Sequence, residues 1–488
     1  MSTARDHLVV VGSGFAGLGM GIRLKQAGIH DFTILEQADR VGGTWRDNHY
    51  PGAACDIESH LYSFSFEPNP TWTRTFANQG EILRYLDHCA DKYGLRPHLR
   101  LGTAATGAIF DERDGTWEVQ TSRGESIRAR AVIAGCGGLS RPSYPDIPGL
   151  STFAGKTMHS ARWDDDYPLA GKTVACIGTG ASAIQIVPSI APIVKKLDVF
   201  QRTAPWIIPK RDFVIPPSTR AWFGRVPALQ GLARLRQYLV HELMAVGFVA
   251  RPQIMDWARR LPLKYLEKTV RDPVLRAKLT PDYTLGCKRI LLSNDYYPAI
   301  QRENVELVTD PIERIEPEGV RTKNGTLHGA DALILATGFE AAEVLSPFTV
   351  KGRGGRDLSA AWRDGAEAYL GTTIAGFPNL FLIVGPNTGL GHSSMVFMIE
   401  SQIAYILDCI QMMRKRGIKS VDVRPEAQSE YNRSLQGRLA QTVWASGCKS
   451  WYQTRSGRNT TLWPGFTVEF RMRTRRFDVE QYELQPAD

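Results

Sequence analysis

A glycine-rich strand–turn–helix unit occurs twice in this chain, and two copies leave few folds open. The first reads HLVVVGSGFAGLGMGIRLKQAGIHDFTILEQ. An apolar run, Leu8 to Val11, enters Gly12, Gly14 and Gly17 at G-x-G-x-x-G spacing, a helical pattern follows, and a second strand ends at Glu36. Each glycine has its own steric reason to be there: a tight turn, close approach to a pyrophosphate, and close packing of helix on strand, with the helix N-terminus aimed at the phosphates. The spacing alone is a weak signal. Set between two strands, with an acid at the right distance, it predicts a dinucleotide site in which Glu36 accepts hydrogen bonds from a ribose with free hydroxyls.

The second unit reads GKTVACIGTGASAIQIVPSIAPIVKKLDVFQRT, with its turn at Gly178-Thr179-Gly180 and Ala183 in place of the third glycine. Glu36 lies 24 positions after Gly12, and Arg202 lies 24 positions after Gly178. Opposite charges thus stand at the same point of the same unit. A carboxylate suits an unmodified ribose; a guanidinium offers charged, planar donors to a 2′-phosphate. The first site is therefore read as binding FAD and the second as binding NADPH. Two such cofactors in one chain imply hydride transfer from nicotinamide to flavin.

The expected fold is α/β, with two Rossmann-like dinucleotide-binding domains, the NADPH domain inserted in a discontinuous FAD domain. Strands running into glycine at AVIAGCGG (131–138) and DALILATGF (331–339) are expected to be the crossings between them. The FAD domain is assigned to 1–145 and 340–488, the NADPH domain to 146–211 and 287–339. A helical insert at 212–286, opened by Pro216-Pro217, is expected to shape a substrate cavity. Ser393 and Ser394 open a further helical pattern and are expected to cap its free amides, so that its N-terminus stabilises negative charge on a reduced flavin.

Composition narrows the partners. The apolar runs are too short to read as a membrane-spanning helix, and no secretory leader precedes Leu8, so a cytoplasmic protein without a transmembrane segment is expected. The net charge is +9, but the basic residues are spread out rather than gathered in one tract, which argues against nucleic acid. The densest basic cluster, within Ala228 to Arg276, is read as a solvated surface, with peripheral membrane contact as the alternative. Seven scattered cysteines without a C-x-x-C pair are read as buried small hydrophobes, not as a disulfide framework, zinc site or redox dithiol. No metal site is expected, and nothing indicates the oligomeric state.

One stretch serves neither a strand nor an amphipathic helix: FAGKTMHSARWDD, Phe153 to Asp165. Phe153, Gly155, His159, Trp163 and Asp164 match the F-x-G-x-x-x-H-x-x-x-W-(P/D) fingerprint of type I Baeyer–Villiger monooxygenases. A second family pattern is present at GGTWRDNHYPGAACD, as Gly43, Trp45, Tyr50, Pro51, Gly52 and Asp56. With both nucleotide turns, Ala336-Thr337-Gly338 and Lys288-Arg289, the chain resembles this family over essentially its whole length. The resemblance implies that NADPH reduces FAD, O2 adds at flavin C4a, and the peroxyflavin inserts oxygen beside the carbonyl of a ketone or aldehyde to give an ester or lactone. It implies Arg289 as the residue that steadies the oxygen species, Asp56 as the carboxylate that orients Arg289, and His159 as a contact to the nicotinamide cofactor or the crossing peptide. Candidate cofactor contacts are Gly12, Gly14, Phe15, Gly17, Glu36, Thr44, Trp45, Asp56, Tyr62, Thr179, Gly180, Ala181, Ser182, Gln185, Arg202, Thr203, Lys288, a second contact to the 2′-phosphate, and Trp451, which resembles a tryptophan that reaches the cofactor on closure. The alternatives are a flavin monooxygenase acting on soft nitrogen or sulfur, and a non-catalytic flavoprotein docking on a partner or membrane.

Overall fold

Runs such as LVVV and AVIA have no polar face, so they suit parallel strands covered on both sides. In the computed structural model, which describes residues 6–340, 345, 348–448, 450, 452–454 and 456–487, they lie side by side. Leu8–Val11 is the centre of a parallel sheet whose strand order is Leu380–Leu382, Ala131–Ala134, Leu8–Val11, Phe32–Leu35, Leu99–Arg100. Helix Phe15–Gln26 packs between this sheet and helix Met395–Arg416, and Gly19 is the contact point: a Cβ there would meet Ile403 Cδ1 and the Phe64 ring at 2.9 Å. Met395–Arg416 is long and apolar enough to cross a membrane by length and composition, yet its apolar side chains are buried in the core around that first helix.

The second parallel sheet orders Val305–Val308, Lys196–Phe200, Thr173–Ile177, Ala332–Leu335 and Lys156–His159. A four-stranded sheet joins Thr349–Lys351 to Ala105–Asp111, so the chain returns to the first half after leaving the second. Helices from Pro217 to Lys278 interrupt the second half.

The two peptides that cross between the halves bond to one another. Ser143 N donates to Gly338 O at 2.9 Å, Glu340 N donates to Arg141 O at 3.1 Å, and Arg141 pairs with Glu340 at 2.6 Å. Cys287 and Cys448 form a disulfide with Cα atoms 6.2 Å apart, correcting the expectation that all cysteines are unbonded hydrophobes. The partners lie 161 positions apart, so no local spacing announces the bond; only the fold brings them together. Cys55, Cys89, Cys136, Cys176 and Cys409 are free.

Candidate active site

The first glycine turn is closed by backbone. Gly12 has φ +94°, and a Cβ on Gly17 would lie 1.8 Å from Gly12 O, so helix and strand approach as the unit requires. Gly14, the N-cap of the first helix, has no side chain that could occupy the first-turn amides, which suits a phosphate. The GGTW segment folds over this turn: Gly42 N donates to Ser13 O at 3.1 Å, and a Cβ on Gly43 would lie 3.0 Å from Gly14 Cα. Thr44 and Trp45 open a short helix beside it, and Trp45 Nε1 donates to Tyr62 OH at 3.1 Å. Phe15 packs edge-on to Tyr62 at 5.2 Å, which gathers Phe15, Trp45 and Tyr62 into one aromatic wall. Glu36 is 4% exposed, its oxygens accepting from Ser13 N and Oγ, Ala38 N and Arg46. These features fit a dinucleotide with an unmodified ribose: bare helix amides, a backbone cradle that excludes Cβ atoms, and a buried carboxylate at the strand end.

The second turn is open. Gly178 has φ +118°, a Cβ on Gly180 would meet nothing within 4 Å, and Thr179, Gly180, Ala181 and Ser182 lead into helix Ala183–Ile190 without a side-chain cap. Thr179 Oγ1 donates to Thr203 O at 3.0 Å, joining the turn to the next strand's end. Arg202 is exposed there, and Lys288 comes close enough that, after burial, the Arg202 charge is the main influence lowering its pKa. Two cations held near each other fit a phosphate-bearing ribose. Gln185 sits differently: its amide nitrogen donates to Ala54 O at 2.9 Å and its oxygen accepts from Tyr50 OH at 3.0 Å. It ties this helix to the YPGAACD segment, where a Cβ on Gly52 would come 2.7 Å from Gln185 O.

Arg289 and Asp56 meet at the seam between the halves. Arg289 Nε donates to Asp56 Oδ2 at 2.6 Å and Nη1 donates to Leu390 O at 3.3 Å, which leaves Nη2 outside both contacts. Burial opposes the Asp56 charge, but the Arg289 guanidinium, with Lys210, outweighs it and holds the carboxylate low; the Asp56 charge in turn raises the Arg289 pKa further. The pair is ionised at any working pH.

Sequence reasoning missed the groups behind it. His241, on insert helix Pro227–Ala245, pairs with Glu58 at 2.7 Å, and its Nδ1 faces His392 O at 2.5 Å. Both ring nitrogens face acceptors, which only an imidazolium satisfies. Burial lowers its pKa, but the Glu58 carboxylate more than offsets this and raises it. His392 is pushed down to about 4 by burial and by the charges of His241 and Arg289, so it is neutral near pH 7. Glu58, two residues beyond Asp56, was the available signal; its partner lies 183 positions away.

The fingerprint packs along the seam. Gly155 has no room for a Cβ, which would lie 2.4 Å from Asp331 O, and Phe153 packs on the second sheet's core. Trp163 is buried and, with Arg162, forms one side of a polar cleft of about 810 Å³ whose other side is Gln37, Arg40 and Arg46 of the first unit. Asp164 pairs with Lys156. His159 ends the edge strand of the second sheet, buried beside Tyr144 and Phe339 of the crossing peptides, and burial lowers its pKa to about 4. Trp451 lies outside the described residues. The serines before helix Met395–Arg416 do not cap it, correcting that expectation: Ser394 Oγ donates to Leu61 O at 3.3 Å, because the loop is held against the first half. A cluster of Asp198, Glu306 and His328 has the spacing of a metal site but carries its own cation, Lys196, at 2.9 Å from both carboxylates.

The chain's residues 9–228 match the family profile described as pyridine nucleotide-disulphide oxidoreductase. A Baeyer–Villiger monooxygenase of Pseudomonas aeruginosa is 51% identical over 98% of this chain and 91% of its own, and one of Streptomyces coelicolor is 48% identical over 99% and 93%. The fold superposes on an oxidized steroid monooxygenase bound to NADP with a TM-score of 0.88 at 32% identity, covering 99% of each chain. A closed cyclohexanone monooxygenase follows at 0.87 and 29%, again over 99% of each. With these similarities running through both nucleotide units and the seam between them, the chain belongs to the Baeyer–Villiger monooxygenases.

Proposed function

We propose that this enzyme uses NADPH, FAD and O2 to insert oxygen beside the carbonyl of a ketone or aldehyde, giving an ester or lactone. The observation that carries the reading is the 2.6 Å bond from Arg289 to Asp56, which fixes a permanent positive charge at the seam of the two cofactor units. When bound and reduced by NADPH, the flavin supplies the oxygen activation.

The chain's own residues do the rest. Gly12 and Gly14 would seat the FAD pyrophosphate, with Gly17 letting helix and strand approach closely; Glu36 would hold the adenosine ribose, and Phe15, Thr44, Trp45 and Tyr62 would wall the cofactor. Arg202 and Lys288 would take the NADPH 2′-phosphate, while Thr179 to Ser182 would receive its pyrophosphate. Asp56 and the Leu390 carbonyl hold two nitrogens of Arg289, so Nη2 is a donor fixed in direction; with the cofactor bound it would steady negative charge on oxygen without rearranging. Phe248, turned inward at the end of the insert helices, packs 5.8 Å from His392 and helps exclude water from this side. His159 acts on position: a neutral ring against both crossing peptides steadies the joint about which the two halves rearrange between hydride delivery and oxygen transfer.

The test is NADPH oxidation with a ketone panel and gas chromatography of the products. Ketone-stimulated consumption with ester formation is expected. Stimulation by amines or sulfides alone, with no ester, would move the enzyme to nitrogen and sulfur oxygenation.

A further inference from the structure

The helical insert wears its polarity reversed. On Pro227–Ala245, the side chains turned toward the first half are polar: Gln230 donates to Asn69 O at 2.7 Å, Arg234 donates to the carbonyls of His60 and Ser63 at 2.6 and 2.9 Å, and His241 pairs with Glu58. The opposite face presents Leu229, Leu232, Leu235, Leu239 and Leu243 to solvent, each between 42% and 72% exposed. They recur at steps of three and four, one stripe of the helix. A helix on a water-facing surface normally buries its leucines and exposes its charges; here the fold places them the other way. On the helices that precede and follow this one in the chain, Trp222, Trp257 and Leu261 are also 56%, 68% and 62% exposed. Scattered single hydrophobics are ordinary on a surface, but a contiguous set with this spacing marks an interaction site.

Charge selects the occupant. From Pro217 to Thr269 the chain has nine Arg and Lys against three Asp and Glu, a net +6 within the whole chain's +9. Arg225, Arg236, Arg251, Arg259, Arg260 and Lys264 are all exposed among the apolar side chains. A second copy placed on this face would bring the same positive charge against it. An anionic bilayer surface instead offers phosphates to the basic side chains and an acyl boundary to the leucines, with tryptophans suited to the headgroup level. We propose that this face of the insert docks the protein on the surface of an anionic lipid bilayer, leucines inward and guanidinium groups at the headgroups.

The experiment is flotation of the full-length holoenzyme with vesicles of phosphatidylcholine alone or mixed with phosphatidylglycerol. Each basic residue near an anionic surface contributes about a fivefold factor, so binding to mixed vesicles is expected to exceed that to neutral ones by at least about tenfold and to weaken with added salt. Leu239→Glu with Leu243→Glu removes two inserted side chains and is expected to lower binding by about tenfold or more. FAD content and melting temperature should not change. Arg259→Ser with Arg260→Ser is the second variant, expected to lose the preference for anionic vesicles. Failure to bind mixed vesicles overturns the proposal, as does binding that neither double variant weakens. A concentration-dependent dimer that the leucine substitutions dissolve overturns it in favour of a second copy.

Discussion

The two nucleotide turns share one backbone solution, and the rest of the chain treats them in opposite ways. Around the first, a Cβ on Gly14 would sit 3.6 Å from Gly43 Cα, aromatic side chains stand alongside, and the terminal acid is buried under four donors. Around the second, a Cβ on Gly180 would touch nothing within 4 Å, and the terminal cation is exposed. A walled site with its polar groups buried suits a cofactor that stays; an open turn with two exposed or half-buried cations suits one that arrives, reacts and leaves. The difference lies in what is folded over each turn, not in the turns themselves.

That contrast can be broken at its enclosed end first. Gly17→Ala forces a Cβ to within 1.8 Å of Gly12 O. Overpacking ordinarily costs about 1–3 kcal/mol, and a backbone oxygen cannot step aside as a side chain does. The variant should lose nearly all bound FAD and melt at lower temperature, read from flavin absorbance and a thermal scan; a yellow protein with wild-type stability would mean that the first turn is not closed as described.

At the seam, Arg289→Ala should leave both turns intact. FAD content and NADPH binding are expected to persist, while ester formed per NADPH falls about 100- to 1000-fold and hydrogen peroxide appears in its place. Wild-type ester yield would show that this guanidinium does not act on the oxygen.

At the open end, Arg202→Ala should weaken NADPH by about one to two powers of ten, the loss of a hydrogen bond to a charged group at roughly 1.5–3 kcal/mol, and leave NADH nearly unchanged. Lys288 softens the loss. Equal weakening of both nucleotides would remove the phosphate assignment. The smallest effect belongs to Gly180→Ala, which should keep FAD content and folding stability within about 1 kcal/mol of wild type, because its backbone is not in the left-handed region and its surroundings are open. A loss of stability comparable to that of Gly17→Ala would erase the distinction between the turns.

Local pattern made the α/β class and the two parallel sheets legible: four-residue apolar runs entering glycine can hardly be anything but buried strands. The shared offset from each glycine turn likewise put Glu36 and Arg202 at corresponding strand ends, after Phe32–Leu35 and after Lys196–Phe200. Features that depend on residues meeting from afar were not legible. Gln185 stands among the candidate cofactor contacts, and nothing in its local sequence shows that its amide also bonds to Tyr50 and Ala54, more than a hundred positions away. The serines before Met395 have the right spacing for a cap, but a loop carbonyl, Leu61 O, takes the Ser394 hydroxyl. Cys287 and Cys448 carry no spacing signal, and the reversed helix Pro227–Ala245 reads as simply amphipathic until its neighbours show which face is covered.

Isotopically labelled O2 follows the inserted oxygen to its place in the product. With NADPH and an accepted ketone, mass spectrometry of the product should show one labelled oxygen in each ester molecule, at the bridging position, with one NADPH consumed. NADPH oxidation that yields only hydrogen peroxide in the presence of every ketone tried, or label found on nitrogen or sulfur substrates while ketones remain unchanged, would exclude oxygen insertion beside a carbonyl.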